Sequence, residues 1–188
     1  MIKGKKIAAI ITDSFHDTEL LKPKAALEKA GVSVIVIGVE QRQKAEGVLD
    51  HKSAYLPDDL KPERKKRQQI DMIIDEADPE SFDGLLLPGG GSPEKLRSYP
   101  KVVNFTKDIY YRRKLIAAIC HGPMIMISAE IVKGKTMTCV GSISIDLSNA
   151  GAIYLNKSVV VDGNIVTSRT PADMEYFINS IYEVLNNS

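Results

Sequence analysis

Leu115–Ala129 reads LIAAICHGPMIMISA. Five apolar residues without polar alternation describe a strand buried on both faces, ending at Ile119. Pro123 has the fixed φ that suits the first position of a helix, so a helix is expected over Pro123–Ile131. Cys120 and His121 then fall on a sharp turn between strand and helix, where Gly122 lets backbone pass closely. Turns of this kind present a nucleophilic side chain at the carboxyl edge of a sheet. Helix-start amides and the helix dipole favour a thiolate, so the Cys120 pKa is expected below the free value of about 8.5. The plain alternative is a buried structural cysteine, since free cysteine is among the most buried residue types.

The same strand-then-helix rhythm extends outward in both directions. Lys6–Thr12 and Val32–Gly38 read as buried strands, with helical spacing over Thr18–Ala30 between them. Pro23 lies inside that pattern and predicts a kink or a short first turn. Gly84–Leu87 repeats the buried-strand signature, and helices are expected over Lys101–Lys114 and Pro171–Leu185. Val159–Val161 and Asn164–Thr167 form a hairpin, with Asp162-Gly163 supplying its turn. Strands separated by helices imply βαβ units. The expected fold class is α/β: a single-domain, doubly wound, mainly parallel sheet over residues 1–188, with helices on both faces.

In such a fold, loops at the carboxyl ends of the strands gather around one crevice. Asp13–Glu19 (DSFHDTE) follows the first strand, and Glu19 is placed to reach the thiol. On position alone it is equally an ordinary carboxylate of a helix start. Leu87–Glu94 (LPGGGSPE) follows the Gly84–Leu87 strand, and its glycine amides can turn inward to stabilise an oxyanion. It matches neither GxxxxGK[ST] nor GxGxxG, so phosphate binding has no support.

Composition narrows the function classes. The chain has 188 residues, a net charge of +1, 44% hydrophobic and 26% charged residues, all ordinary for a soluble domain. No field draws it to nucleic acid or membrane, and no apolar run approaches the roughly 20 residues of a membrane span. The amino terminus carries no signal-peptide pattern. Two cysteines, no CxxC and three scattered histidines favour a reducing cytoplasm and argue against a disulfide framework or a zinc site. Asp58–Gln69 (DDLKPERKKRQQ) breaks the rhythm and reads as a solvated basic loop or short helix. A contact for an acidic partner is the sharper alternative, without supporting aromatics or a nucleic-acid motif.

Five stretches together resemble the DJ-1/PfpI superfamily, and more closely its PfpI-like branch. They are Phe15–Pro23, Phe82–Gly90, Ala118–Pro123, Asn149–Gly151 and Val160–Gly163, spread over nearly the whole chain in family order. The resemblance implies a flavodoxin-like sandwich, also shared with class I glutamine amidotransferases. Amidotransferase chemistry needs a histidine well after the nucleophile, and none follows His121. By resemblance Cys120 is the nucleophile, Glu19 the carboxyl beside it and His121 the catalytic histidine. Gly90 and Gly91, with the Cys120 and His121 backbone, form the oxyanion region. Glu94 matches an acid that a neighbouring subunit directs at His121. The resemblance also implies a homo-oligomer, from dimer to hexamer, and no cofactor. The basic stretch at 58–69 looks like an insertion relative to this pattern. Val140-Gly141 stands where PfpI-like proteins carry an aromatic-proline pair, which puts their substrate preference in doubt here. Cys139 beside it reads as a buried strand cysteine, with a second redox thiol as alternative.

The implied function is a cysteine hydrolase or lyase acting on peptides, small carbonyl compounds or glycation adducts, of protease, glyoxalase or deglycase type. Cys120 would attack the carbonyl carbon and His121 would move protons. The alternative is a redox-sensing stress protein whose Cys120 is oxidised reversibly. A structural or subunit-interaction role is the third reading.

Overall fold

The computed structural model describes residues 2–39, 44–48 and 67–187. In chain order its first half comprises β1 (Lys6–Ile10), β2 (Phe15–His16), α1 (Asp17–Lys29), β3 (Ser33–Gly38), β4 (Lys44–Val48), β5 (Arg67–Gln69), β6 (Met72–Ile73) and β7 (Gly84–Leu87). There follow α2 (Ser92–Leu96), α3 (Pro100–Tyr111), β8 (Leu115–Ile119), α4 (Pro123–Ser128), β9 (Thr136–Met137), α5 (Ser144–Asn149), β10 (Ile153–Tyr154), β11 (Val159–Asp162), β12 (Ile165–Ser168) and α6 (Met174–Asn187).

The apolar runs become the sheet because each of their residues buries on one face or the other. A seven-stranded sheet has the order β11-β12-β8-β7-β1-β3-β6, parallel throughout except for β11 against β12. Ala8, Ile10, Leu85, Leu87, Ile116 and Ala118 face one cluster, packed by Val102, Phe105 and Ile109 of α3, Ile125 and Met126 of α4 and Leu147 of α5. Their neighbours in sequence, Ile7, Ala9, Leu86, Ala117 and Ile119, face the other, under Leu20 and Leu27 of α1 and Phe177, Ile181 and Leu185 of α6. Each fully buried side chain of this size contributes about 1.5–3 kcal/mol, which is why both faces stay covered. The expected doubly wound α/β fold is what forms, of the flavodoxin-like kind.

The winding reverses at β1. The chain builds β3 and β6 on one side of it, then returns to build β7, β8, β12 and β11 on the other. Crevices of open α/β sheets open at such switch points, outside the carboxyl ends of the strands. The segments after β1, β7 and β8 all lie there.

Several details differ from the sequence reading. α1 begins at Asp17 and runs through Pro23 to Lys29; the missing proline N–H falls opposite the carbonyl of Glu19, four residues back. The hairpin turn is Gly163-Asn164, because Asp162 still pairs with Ile165 and the positive φ lies at Gly163. Asp162 is kept in the strand, where its carboxylate accepts from the Thr136 N–H at 2.8 Å. Of the basic stretch, residues 58–66 lie outside the described residues. Arg67–Gln69 is β5, paired antiparallel with β4, which joins β2 in a small three-stranded sheet. Strands of two or three residues carry too little periodicity to be seen in a sequence. No helix among the described residues is long and apolar enough to cross a membrane.

Candidate active site

Cys120 follows β8 directly and adopts φ +61°, the left-handed region that L-residues with a side chain avoid. Such a conformation costs of order 1–3 kcal/mol and persists only where the surroundings fix it. Three backbone hydrogen bonds do so. The Cys120 N–H donates to Ser168 O of β12 at 3.0 Å, the Cys120 carbonyl accepts from Val140 N–H at 3.2 Å, and Gly122 N–H donates to Ile119 O at 2.8 Å. The turn is so tight that a Cβ on Gly122 would lie 2.2 Å from Leu87 O.

Cys120 is 9% exposed, and its sulfur sits among groups from all three predicted segments. His121 Nδ1 lies 3.3 Å from Cys120 Sγ. The backbone amides of Gly90 and His121 act on the sulfur as hydrogen-bond donors, and the Glu19 carboxyl hydrogen-bonds it from the side. Glu19, in the first turn of α1, is fully buried, and its Oε2 accepts from Gly89 N–H at 2.7 Å. Gly89 is the wedge between these parts. A Cβ there would lie 2.7 Å from both Cys120 Cβ and Glu19 Oε2. The loop is strapped to the segment after β1 by His16 N–H to Gly89 O at 3.1 Å and Gly91 N–H to Ser14 O at 2.7 Å.

Those bonds separate the amides the sequence could only group. Gly91 and Cys120 both spend their N–H on backbone carbonyls, so neither is free to hold an oxyanion. Gly90 and His121 keep theirs directed at the sulfur. Gly89, which the sequence reading grouped with the other loop glycines and gave no role of its own, orients Glu19 instead.

Electrostatics also depart from expectation. Burial pushes the Cys120 thiol up from its ordinary value, and the neighbouring Glu19 charge adds to the rise, while the Gly90 and His121 amides pull it back. The expected depression rested on the helix start, but α4 has six residues and the sulfur is nearly enclosed beside a carboxyl group. Desolvation of the charged form outweighs a short dipole.

His121 is held at both ring nitrogens, since Nε2 lies 3.2 Å from Ser142 Oγ. Burial lowers its pKa, and the negative charge of Glu94 raises it in opposition. Glu94 itself is exposed on α2 and already acts on the histidine of its own chain. Glu94→Gln therefore lowers the His121 pKa further, because the favourable charge is lost while burial remains. Histidine ring shifts followed by NMR against pH check this; an unchanged or raised titration contradicts it.

Cys139 is fully buried just after β9 rather than within a strand. Burial, with Asp146 adding to it, pushes its thiol up to about 12. Sequence reasoning missed Ser142 and Ser168, whose roles arise from contacts far apart in the chain. Among the described residues no group of three or more His, Cys, Asp or Glu side chains is placed to hold a metal ion.

A cysteine on a strained strand-to-helix turn, above a doubly wound sheet and beside a buried glutamate, defines a class of elbow proteins. Comparison with known proteins places the chain within it. The DJ-1/PfpI family model matches residues 5–184, and the chain belongs to that family. It is 42% identical over 175 residues to protein/nucleic acid deglycase 2 of Escherichia coli, covering 93% of this chain and 94% of that one. To the putative cysteine protease YraA of Bacillus subtilis it is 41% identical over 174 residues, with the same coverage. Among solved structures, a ThiJ/PfpI domain protein from Brachyspira murdochii superposes with a TM-score of 0.85 at 26% identity, covering 99% of both chains. A two-domain protein of Anabaena variabilis with DJ-1/ThiJ/PfpI-like and ferritin-like domains gives a TM-score of 0.86 at 36% identity. The chain spans 97% of its own length there and about half of that protein, 48%.

Proposed function

We propose that this protein is a cysteine-dependent hydrolase or lyase that acts on carbonyl substrates through Cys120. The observation that carries the reading is the left-handed Cys120, whose sulfur meets two backbone amides, Glu19 and His121 Nδ1. Strain of this kind at a side chain with so many polar neighbours is a mark of functional sites. The two relatives named as a deglycase and a putative cysteine protease support the same class.

Cys120 and Glu19 are buried together, and two adjacent negative charges cannot both persist there. The pair shares one proton. When Glu19 holds it, the repulsion vanishes, the carboxyl donates to the sulfur, and the Gly90 and His121 amides stabilise the thiolate. The sulfur lone pair then adds to the carbonyl carbon while the π pair moves to oxygen. The oxyanion forms beside the same two amides, and His121 passes it a proton from one ring nitrogen while the other takes one up from solvent, so the ring ends neutral. Glu94 helps the ring carry positive charge during transfer. With only 9% of Cys120 exposed, small aldehydes and projecting adducts reach the sulfur more readily than internal peptide bonds.

The second reading is a redox sensor, favoured by the same donors, which suit the oxygens of an oxidised sulfur. A panel of methylglyoxal, a glycated thiol and a fluorogenic peptide separates the two. Wild-type protein is expected to turn over at least one of them, with a loss of about a thousandfold or more in Cys120→Ser. Equal rates in the two proteins would exclude the cysteine mechanism. No turnover, together with stoichiometric peroxide oxidation of Cys120, would select the sensor.

A further inference from the structure

We propose that Arg169 is a positioning residue for Cys120: with Asp173 it clasps the end of β12 and so holds the Ser168 carbonyl that receives the Cys120 N–H. This rests on the reading of Cys120 as the reacting group, although its first readout is a backbone amide.

A left-handed Cys120 needs an acceptor that does not move, and its N–H donates to Ser168 O at 3.0 Å. Ser168 is the last residue of β12 and the last rung on both sides, opposite Ile119 of β8 and Val159 of β11. Element ends are the first parts of a fold to open. The elbow therefore depends on a carbonyl placed where a sheet is ordinarily loosest.

Arg169 closes that end. Its Nε donates to Asp173 Oδ2 at 3.0 Å and its Nη2 to Asp173 Oδ1 at 3.1 Å, a two-point grip that a guanidinium makes and an ammonium does not. Nη2 also donates to Ser158 Oγ at 3.1 Å, and Nη1 to Asn156 Oδ1 at 2.8 Å. Ser168 Oγ joins the same segment by donating to Ser158 O at 2.7 Å. Asp173 is buried, and its own N–H donates to Thr170 O at 3.0 Å, which fixes the carboxylate in the turn Pro171–Asp173. Burial pushes that carboxyl up, but hydrogen bonds from Arg169, Ser158 and Thr170 outweigh it and hold the group below its ordinary range. The grip is therefore charged at neutral pH.

One side chain thus ties together the end of β12, the segment before β11 and the turn that leads into α6. Ser168 cannot tilt without breaking several of these bonds at once. If the clasp opens, Cys120 loses its fixed acceptor and relaxes toward the negative φ that a residue with a side chain prefers. The sulfur then leaves the Gly90 and His121 amides. The Arg169 side chain is 30% exposed, so its ion pair adds little to the stability of the whole fold, and its effect is local.

The test compares wild type, Arg169→Met, Arg169→Lys and Asp173→Asn in 15N-labelled protein. Hydrogen exchange is followed at the Cys120 amide, with the Ile116 amide as reference. Ile116 lies at the other end of β8 and donates to Asn164 O at 2.9 Å, next to the start of β12. Arg169→Met and Asp173→Asn are each expected to speed exchange at Cys120 about tenfold more than at Ile116. Each is also expected to cut kcat for methylglyoxal by about tenfold or more at an unchanged KM. Arg169→Lys keeps the charge without the two-point grip and is expected to fall between wild type and Arg169→Met. Should Arg169→Met fail to fold, Arg169→Lys and Asp173→Asn carry the same comparison. Equal acceleration at the two amides is what a merely structural clasp gives, and it overturns the proposal, as does no change at either. Full turnover in a variant with a loosened Cys120 amide, or a lysine variant indistinguishable from wild type, overturns it too. Selective loosening of Cys120 with no turnover in any protein, wild type included, upholds the clasp and fails the nucleophile reading instead.

Discussion

Glu19→Ala raises the pH at which Cys120 becomes reactive, and Glu19→Gln leaves it close to wild type. The two carboxyl states predict opposite signs, which makes the pair decisive. An ionised Glu19 repels a thiolate, so deleting it would lower the Cys120 pKa; a protonated Glu19 donates to the sulfur, so deleting it raises that pKa. A hydrogen bond to a charged group contributes about 1.5–3 kcal/mol, or roughly one to two pKa units. Glutamine keeps a donor in the same place. Glu19 Oε2 also accepts the Gly89 N–H at 2.7 Å, and the amide oxygen of glutamine preserves that contact as well. Iodoacetamide rates measured against pH, site by site, read the effect, with buried Cys139 as the internal reference. A lower titration point in Glu19→Ala would show that the carboxylate, not the sulfur, holds the charge in the resting protein.

Gly122→Ala is expected to destabilise the fold by about 3 kcal/mol or more. The added Cβ would sit 2.2 Å from Leu87 O, 3.0 Å from Ile119 O and 3.1 Å from Ile119 N. All three atoms belong to the backbone of β7 and β8, central strands that pair with each other. They cannot yield as the end of a flexible side chain would. For a chain of this size that loss corresponds to a fall of roughly 6–12 °C in melting temperature. Gly141→Ala is the matched control: its Cβ would meet nothing within 4 Å, and its melting point should barely change. A tolerated alanine at 122 would mean that the elbow is looser than its backbone bonds imply, and the strain argument for Cys120 would fall with it.

The winding of the sheet was legible in the chain because its physical cause is local. Runs such as Gly84–Leu87 and Leu115–Ile119 bury every residue, and only strands covered on both faces tolerate that, so their bounds in the sequence and in the structure coincide. Cys120 was legible for the same reason, because strand end, glycine and proline lie within four residues of it. Glu19 needed the family resemblance as well, since a carboxylate in a first helical turn looks the same whether or not a thiol lies beside it. What the tertiary structure alone decided is which hydrogen-bonding groups remain free. Gly89, Gly90 and Gly91 are identical letters, yet one amide orients Glu19, one faces the sulfur and one is consumed by Ser14, each outcome set by the segment after β1. Ser142 pairs with a histidine 21 residues away, and Ser168 fixes the elbow from β12. The sign of the Cys120 shift was likewise beyond the sequence, because desolvation is a property of everything packed around a sulfur, and only the folded chain brings that together.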